Sequence, residues 1–390
     1  MYRKLDQLDF KCPDVIRFGR GTVAETAKYV GDSDATVLIV TDPGIIEAGL
    51  VDSVESSLKE SGISYKIFSG VKPDPTVSNV EKCLERAREI GADALVGVGG
   101  GSPMDVTKAT SVLLTNDCPI DELFGRDNVS NQGITTVLLP TTTGTGSEVS
   151  PGSVFYDDRP TGSGEKEAIL DPSIYPKAAL IDPDLSMHLP SPTTRATGLD
   201  AFTHAIGSFI SKEGNSFADA LCLEAMTLIE ENLRDAAFHG AEAPEAREKM
   251  AIAATMAMVG RTNGGKAAVH SLAYGIQGMY DVPHGKAIAM VLPEVIEYNL
   301  PAAVDRFARL GTRLYDATGG QRERAHQLVE GVYRLRDDLD LDEKLTNVGA
   351  AEGEMDDLVD LATHSQRHLD PNPRHIDRED AEIIFRKIWE

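Results

Sequence analysis

Short β-branched runs alternate with segments of helical length through the first half of the chain. Thr36 to Val40 is one such run, closed by Thr41-Asp42-Pro43-Gly44. Tyr65 to Phe68 is a second, Ala94 to Val98 runs straight into glycines, and Val137 to Leu139 stops at Pro140. Compact apolar runs bounded by turn residues predict strands, and strands alternating with helices predict an α/β layer on a largely parallel sheet. Each predicted strand ends in a polar or glycine-rich loop. Ligands of open α/β sheets sit beyond the carboxyl ends of the strands, so the chemistry is expected to gather in these loops.

After Pro183 the pattern changes. Ala, Leu, Met and Glu at helical spacing replace the β-branched runs, as in Phe217 to Leu233 and Glu245 to Val259, and Pro183, Pro190 and Pro192 mark the transition. The second half is therefore predicted to be helical. The expected organisation is an α/β domain over 1–186 and a helical domain over 187–390. Gly264-Gly265 and Gly319-Gly320 are expected to end helices.

A length of 390 residues suits two domains rather than one core. Lys and Arg total 38 against 62 Asp and Glu, a net charge of −24 that would repel nucleic-acid phosphates and anionic membranes. Neither is expected as a partner. The acids are dispersed, with only small clusters such as Asp337-Asp338-Leu339-Asp340. A surface of this kind suits concentrated salt, where screening shortens the reach of self-repulsion, so a halophilic source is expected, with an acidic mesophile protein as the alternative. Cys12, Cys83, Cys118 and Cys222 are widely spaced and form no Cys-x-x-Cys pair, which predicts free thiols in a reducing compartment. Met1 to Phe10 is interrupted by Arg3, Lys4, Asp6 and Asp9 and has no apolar core of a secretory signal, and no apolar run is long enough for a membrane span. The expected location is cytoplasmic.

Two loops carry candidate nucleotide chemistry. Gly97-Val98-Gly99-Gly100-Gly101-Ser102-Pro103-Met104-Asp105 follows a strand and opens a helix, so backbone N–H groups and the helix N-terminus can face a pyrophosphate. Ser102 stands where a Gly-x-Gly-x-x-Gly motif would place its third glycine, and a ligand-free strand-to-helix turn is the competing reading. Thr141-Thr142-Thr143-Gly144-Thr145-Gly146-Ser147-Glu148 is a second loop, dense in hydroxyls. Asp42, after the first predicted strand, is placed either to accept from a ribose diol, favouring NAD over NADP, or to form an ordinary Asp-Pro-Gly turn.

A third set of residues has metal-binding types. Asp200 and His204 are four apart and would share a helical face. They suit one divalent ion, and equally a surface pair or a satisfied core hydrogen bond. His270 lies in the helical stretch Ala267 to Gly278, while His284 follows Pro283 in a predicted loop, so a helix residue and a loop residue could converge on the first pair. Three histidines and a carboxylate suit zinc or ferrous iron better than calcium or magnesium. His188, His239, His326, His364, His368 and His375 show no comparable arrangement, and the His364/His368 pair is expected to be solvated surface.

With these motifs in order, the sequence resembles the iron-containing (group III) alcohol dehydrogenase family over nearly its whole length. The matching segments are Gly99-Gly100-Gly101-Ser102-x-x-Asp105-x-x-Lys108, Pro140-Thr141-Thr142-x-Gly144-Thr145-Gly146-Ser147-Glu148, Gly198-Leu199-Asp200-Ala201-x-x-His204-Ala205, and Pro283-His284-Gly285 followed by Leu292-Pro293. The resemblance implies the dehydroquinate synthase-like superfamily fold: an N-terminal dinucleotide-binding α/β domain, a C-terminal helical domain, and an active site in the cleft between them. It implies Asp200, His204, His270 and His284 as ligands of Fe2+ or Zn2+. It further implies Asp42, Gly99, Gly100, Gly101, Ser102, Asp105, Thr141, Thr142, Thr145 and Lys166 as contacts of NAD, and a homo-oligomer, a dimer. The implied activity is hydride transfer between NAD(H) and a small alcohol, or its aldehyde or ketone.

Two positions depart from the family. Tyr274 stands where many members carry a further histidine, and Gly207 where they tend to carry Glu, so Tyr274 is a candidate for proton relay or substrate shaping. A dehydroquinate synthase-type lyase would need a cluster of basic residues, and only Arg261 and Lys266 stand near His270. A glycerol-1-phosphate dehydrogenase would be expected to lack the threonine loop. A maleylacetate reductase-like enzyme is the nearer alternative, though that group generally dispenses with the ligands. A redox-sensing nucleotide binder is the non-enzymatic one.

Overall fold

A computed structural model describes residues 8–160, 162, 166–364 and 369–390. Arg3, Lys4 and Asp6 of the N-terminal stretch, and His368, lie outside the described residues. The chain divides into two compact units, Lys11–Leu189 and Pro190–Glu390, the second also taking in the leading residues that end at Phe10.

The first unit is built on a six-stranded parallel sheet. Its strands are β1 (Val15–Phe18), β2 (Thr36–Val40), β3 (Ser64–Phe68), β4 (Ala94–Gly99), β6 (Thr135–Pro140) and β9 (Ala178–Ile181), in the order β1-β9-β6-β4-β2-β3. The central strands read as continuous apolar runs because helices cover both faces of the sheet. Along β2, Val37 and Ile39 join one core cluster and Leu38 and Val40 another, the alternation that a pleated strand imposes. Among the described residues, five α-helices accompany the sheet: α1 (Ala27–Val30), α2 (Pro43–Glu47), α3 (Asp52–Glu60), α4 (Val77–Ile90) and α5 (Gly101–Leu113). A smaller sheet pairs β5 (Gly125–Arg126) with β8 (Lys166–Leu170), and β8 in turn with β7 (Gly152–Tyr156). The edge strand β1, with Ile16 and Phe18 partly exposed, and the small sheet carry too short or too mixed a pattern to stand out in the sequence.

The second unit is helical: α6 (Ser191–Ile210), α7 (Ser216–Phe238), α8 (Pro244–Gly264), α9 (Val269–Tyr280), α10 (His284–Asn299), α11 (Val304–Tyr315), α12 (Gln321–Asp338), α13 (Met355–Thr363) and a last helix, Arg378–Lys387. One apolar cluster runs through all of them. From Gly198 onward every residue of α6 is buried, the signature of a helix at the centre of its unit. Its polar members, Asp200, Thr203, His204 and Ser208, are therefore polar groups held in a core.

Helix ends match the residues that stop them. Gly265, at φ +83, closes α8 as its sequence predicts. Gly319-Gly320 does not end a helix. Asp316, in the left-handed region at φ 50, has already terminated α11, and Gly320 caps the start of α12. An aspartate tolerates that conformation because its short polar side chain can bond locally, so the break comes three residues before the glycines. Among the described residues no helix is long and apolar enough to cross a membrane.

Candidate active site

In the α/β unit, β6, β4 and β2 lie side by side and point the same way. Gly99 pairs with Pro140 and Val40 with Gly97, so the three loops that follow emerge on one edge of the sheet, about 4.8 Å apart per strand. Asp42, the Gly99–Ser102 turn and the Thr141–Thr145 loop are thereby brought together.

Gly99 sits at φ +150, and a Cβ there would lie 2.6 Å from Pro103 Cγ. Only glycine makes this turn. Gly100 caps α5 with an extended backbone, and Gly101 and Ser102 are its first residues, so their N–H groups have no partner inside the helix. The two loops touch: a Cβ on Gly100 would meet Thr142 and one on Gly101 would meet Thr145, both at 3.3 Å, while Thr141 N donates to Gly99 O at 2.9 Å. Thr142 Oγ1 and Thr143 Oγ1 are buried with no hydrogen-bond partner. Orphan hydroxyls beside a helix N-terminus suit a ligand rich in acceptors, as a dinucleotide is.

Asp42 realises its local reading: it caps α2, its Oδ1 accepting from Ile45 N at 3.1 Å. That bond leaves Oδ2 for a ligand. Asp105 faces inward rather than toward the loop edge. Its Oδ1 accepts from Ser147 Oγ, its Oδ2 accepts from Val154 N at 2.9 Å, and Lys108 Nζ is 3.2 Å from Oδ1. Lys108 is fully buried, which pushes its pKa down, and it donates to Ser147 O at 2.9 Å and to Gly152 O. The pair ties α5 to the loop beyond Ser147. Sequence reasoning quoted Lys108 without giving it a task; its spacing of three from Asp105 inside an apolar helix was the available signal. Lys166, on β8, lies 3.4 Å from Asp74 Oδ1 and 5.0 Å above the Tyr156 ring.

In the helical unit, α6, α9 and α10 bring the metal-type residues together. Asp200 and His204 are 4 % and 5 % exposed. The Nε2 atoms of His204, His270 and His284 lie 3.4, 3.3 and 3.9 Å from Asp200 Oδ1. Asp200, His270 and His284 offer ligand atoms all within 4.8 Å of one another. His204 lies beside this group, its ring stacked on that of His270 at 4.8 Å. Asp200 Oδ1 and His204 Nδ1 are buried without a hydrogen bond. Leaving a carboxylate oxygen dry and unbonded among three imidazoles is costly unless a cation completes it, and the donor set suits zinc or ferrous iron.

His284 is not a loop residue. Asp281, at φ 50, ends α9, and Pro283 restarts the chain as the cap of α10, whose first residue is His284. Gly285 lets α10 approach α6, because a Cβ there would lie 2.6 to 2.9 Å from Ala196. His284 Nδ1 donates to Gln277 Oε1 at 2.7 Å, which fixes the tautomer and leaves Nε2 free to bind an ion. Gln277 escaped sequence reasoning, although it stands seven residues after His270 and so on the same helical face. Burial pushes the His204 pKa well below its ordinary value; Asp200 opposes this, and Arg261, His270 and His284 reinforce it. Tyr274, one turn after His270, stacks on His284 at 5.5 Å. Gly207 is buried against Ala267 N, 3.3 Å from where a Cβ would sit. His364 is exposed.

Comparisons with known proteins show the family. Residues 13–183 match the iron-containing alcohol dehydrogenase family model, and residues 194–389 match that of the Fe-containing alcohol dehydrogenase family, C-terminal. The chain is 33% identical over 377 residues to sulfoacetaldehyde reductase of Bilophila wadsworthia, covering 95% of this chain and 96% of that one. It is 34% identical over 388 residues to 1,3-propanediol dehydrogenase of Citrobacter freundii, covering 98% of each. A solved 1,3-propanediol oxidoreductase superposes with a TM-score of 0.93 at 32% identity, over 98% of this chain and 100% of that one. The family's chemistry implies iron and NAD(H). The chain belongs to the iron-containing alcohol dehydrogenase family.

Proposed function

We propose that this chain interconverts a small alcohol and its aldehyde or ketone by hydride transfer to or from NAD(H), with Asp200, His204, His270 and His284 as ligands of Fe2+ or Zn2+. The observation that carries the reading is the buried Asp200 Oδ1, unbonded, with three imidazole Nε2 atoms between 3.3 and 3.9 Å away. A bound ion would supply Lewis acidity, lowering the pKa of an alcohol hydroxyl or polarising a carbonyl. The chain's own residues prepare for it. Burial keeps His204 neutral, so the imidazole has a lone pair to offer. Gln277 holds the proton of His284 on Nδ1, and Tyr274 stacks on the same ring, beside any substrate at the ion. Tyr274 is our candidate for proton relay or substrate shaping.

On the α/β unit, the N–H groups that open α5, with Gly99, Gly100, Gly101 and Ser102, would receive the pyrophosphate. Thr141, Thr142 and Thr145 would hold the rest of the cofactor, with Lys166 at its margin. Asp105 acts as a positioning residue through Ser147 and Lys108. The free oxygen of Asp42 favours a ribose diol and repels a 2′-phosphate, which supports NAD over NADP. We assign the dinucleotide to 1–186 and the ion to 187–390. The net charge of −24 supports work in concentrated salt inside the cell, and a dimer is the quaternary state we propose. The relatives named above act on sulfoacetaldehyde and 1,3-propanediol, so short functionalised aldehydes are the first substrates to try.

Loading the purified protein with ferrous iron or zinc and assaying short alcohols and aldehydes in high salt tests the reading. Turnover that depends on the ion and prefers NAD supports it. Full activity after chelation overturns the metal assignment, and a preference for NADP overturns the role of Asp42.

A further inference from the structure

Arg261 stands in the last turn of α8, in the unit that carries the metal-type cluster. Ser208, one turn beyond His204 on α6, donates through Oγ to Gly260 O at 3.1 Å, which ties Arg261 to the helix that carries Asp200 and His204. The charge of Arg261 reaches His204, where it counts ahead of the imidazoles of His270 and His284. The side chain is partly buried. Its Nε is shielded from solvent without a hydrogen bond, and the one bond its guanidinium makes among the described residues runs to Met258 Sδ at 3.8 Å, a weak acceptor.

No carboxylate pairs with Arg261 among the described residues, in a chain that has 62 of them. Three other half-buried arginines of this unit are matched to carboxylates, Arg306 with Asp219 at 2.6 Å, Arg234 with Glu230 at 3.0 Å and Arg195 with Asp340 at 3.0 Å, and Arg324 donates to the carbonyl oxygen of Gly319 at 3.4 Å. A cation near a helix C-terminus gains from the helix dipole. That gain is available to an exposed side chain and does not explain a half-buried guanidinium whose bonded acceptor is a thioether. A guanidinium is the group that receives carboxylates and sulfonates in a planar fork, and leaving it half-buried and unmatched, with its charge felt at His204, is costly unless a ligand completes it.

We infer that Arg261 receives the anionic end of the substrate, so that the preferred aldehyde carries a carboxylate or sulfonate at the end remote from its carbonyl. The inference rests on the proposed reduction of an aldehyde at the Asp200 cluster and adds the substrate's charge. The affinity belongs to the guanidinium, and the ion-binding residues are left to act on the carbonyl.

The test compares succinic semialdehyde and sulfopropanal with uncharged butanal, on metal-loaded enzyme with NADH at constant ionic strength. The wild type is expected to favour the anionic aldehydes through KM. In Arg261→Met, the ratio of kcat/KM for anionic over neutral aldehyde should fall by roughly 10- to 100-fold, chiefly through KM. Arg261→Lys should recover part of it, since it keeps the charge and loses the fork. Arg313→Met, at a surface pair with Glu224, should leave the ratio where it is. Titration calorimetry with methanesulfonate gives a readout independent of turnover: the wild type binds it and Arg261→Met does not. A wild type that reduces butanal without preferring either anion, or an Arg261→Met variant that loses all three substrates equally, overturns the inference while the dehydrogenase reading stands. If no aldehyde is reduced with any metal, that reading fails, and the calorimetry still decides Arg261. If carboxylate and sulfonate differ, the better substrate names the anion.

Discussion

At the carboxyl edge of the parallel sheet, the groups on offer are backbone N–H donors and threonine hydroxyls. Around Asp200 they are a carboxylate and three imidazoles. The two units reach these outcomes by different physics. The sheet edge is set by register: once β2, β4 and β6 pair in parallel, their following loops must fall together, and small residues let backbones approach. The helical cluster has no such rail. It depends on the angles and contacts by which α6, α9 and α10 pack, so it needs Gly285 at a close approach and Gln277 as a tether. A backbone site should therefore fail by distortion, and a side-chain site by loss of a ligand.

The largest effect is expected from His270→Ala, which removes a group from the side-chain cluster and leaves the α/β unit intact. Turnover should fall on the order of 10³-fold or more, with bound metal lost by elemental analysis while NADH binding persists. Retention of metal and activity would break the contrast. Gly99→Ala makes the matching change at the sheet edge. A side chain at φ +150, 2.6 Å from Pro103, should cost about 2–3 kcal/mol of stability in denaturant unfolding and abolish NADH fluorescence enhancement. Metal content should survive.

Gln277→Leu is milder. It keeps all four candidate ligands and frees the His284 ring, so metal affinity should drop roughly 10- to 100-fold in competition with a chelator. An unchanged affinity would mean that packing alone orients His284. Thr142→Val sharpens the other side. If its orphan hydroxyl serves the cofactor, KM for NAD should rise about 3- to 10-fold, with no loss of stability in the cofactor-free protein because no internal bond is broken.

The smallest effect separates the units by pH. Burial first, then Glu354, pushes the Tyr280 phenol up to about 12, and burial with Glu230 raises Tyr315 well above its ordinary value. Tyr298 and Tyr333 are raised as well, and in the α/β unit Tyr175 is raised. Unfolded tyrosine ionises near 10, so this stabilisation is intact below that pH and is lost as pH rises toward about 12. Hydrogen exchange between neutral and alkaline pH should show the helical unit loosening first.

Legibility differed between the units for the same reason that their sites differ. β2 runs over Thr36–Val40, as its apolar run predicts, and α7 and α8 enclose the predicted helices and extend them by several residues. The glycine and threonine loops were readable because each is contiguous and sits directly after a strand. The edge strand β1 and the small sheet of β5, β7 and β8 were not, since two to five residues of mixed polarity carry little periodic signal. His284 was read as a loop residue because Pro283 is as compatible with a break as with a helix start, and only the capping geometry distinguishes them.

The sequence by itself determined the local order: which runs become strands or helices, where glycine must stand, and which residues are of types that can bind a metal. The tertiary structure decided what those residues meet. That Asp200 Oδ1 lies among three imidazoles, that Gln277 holds one of them, that Lys108 anchors a loop some forty residues away, and that Arg261 is left without a carboxylate all depend on contacts between segments distant in the chain. Periodicity reports only a residue's own helix or strand. Partnership across a core is fixed by how the elements pack, and it is there that the pairing of charges, and with it the choice of substrate, is set.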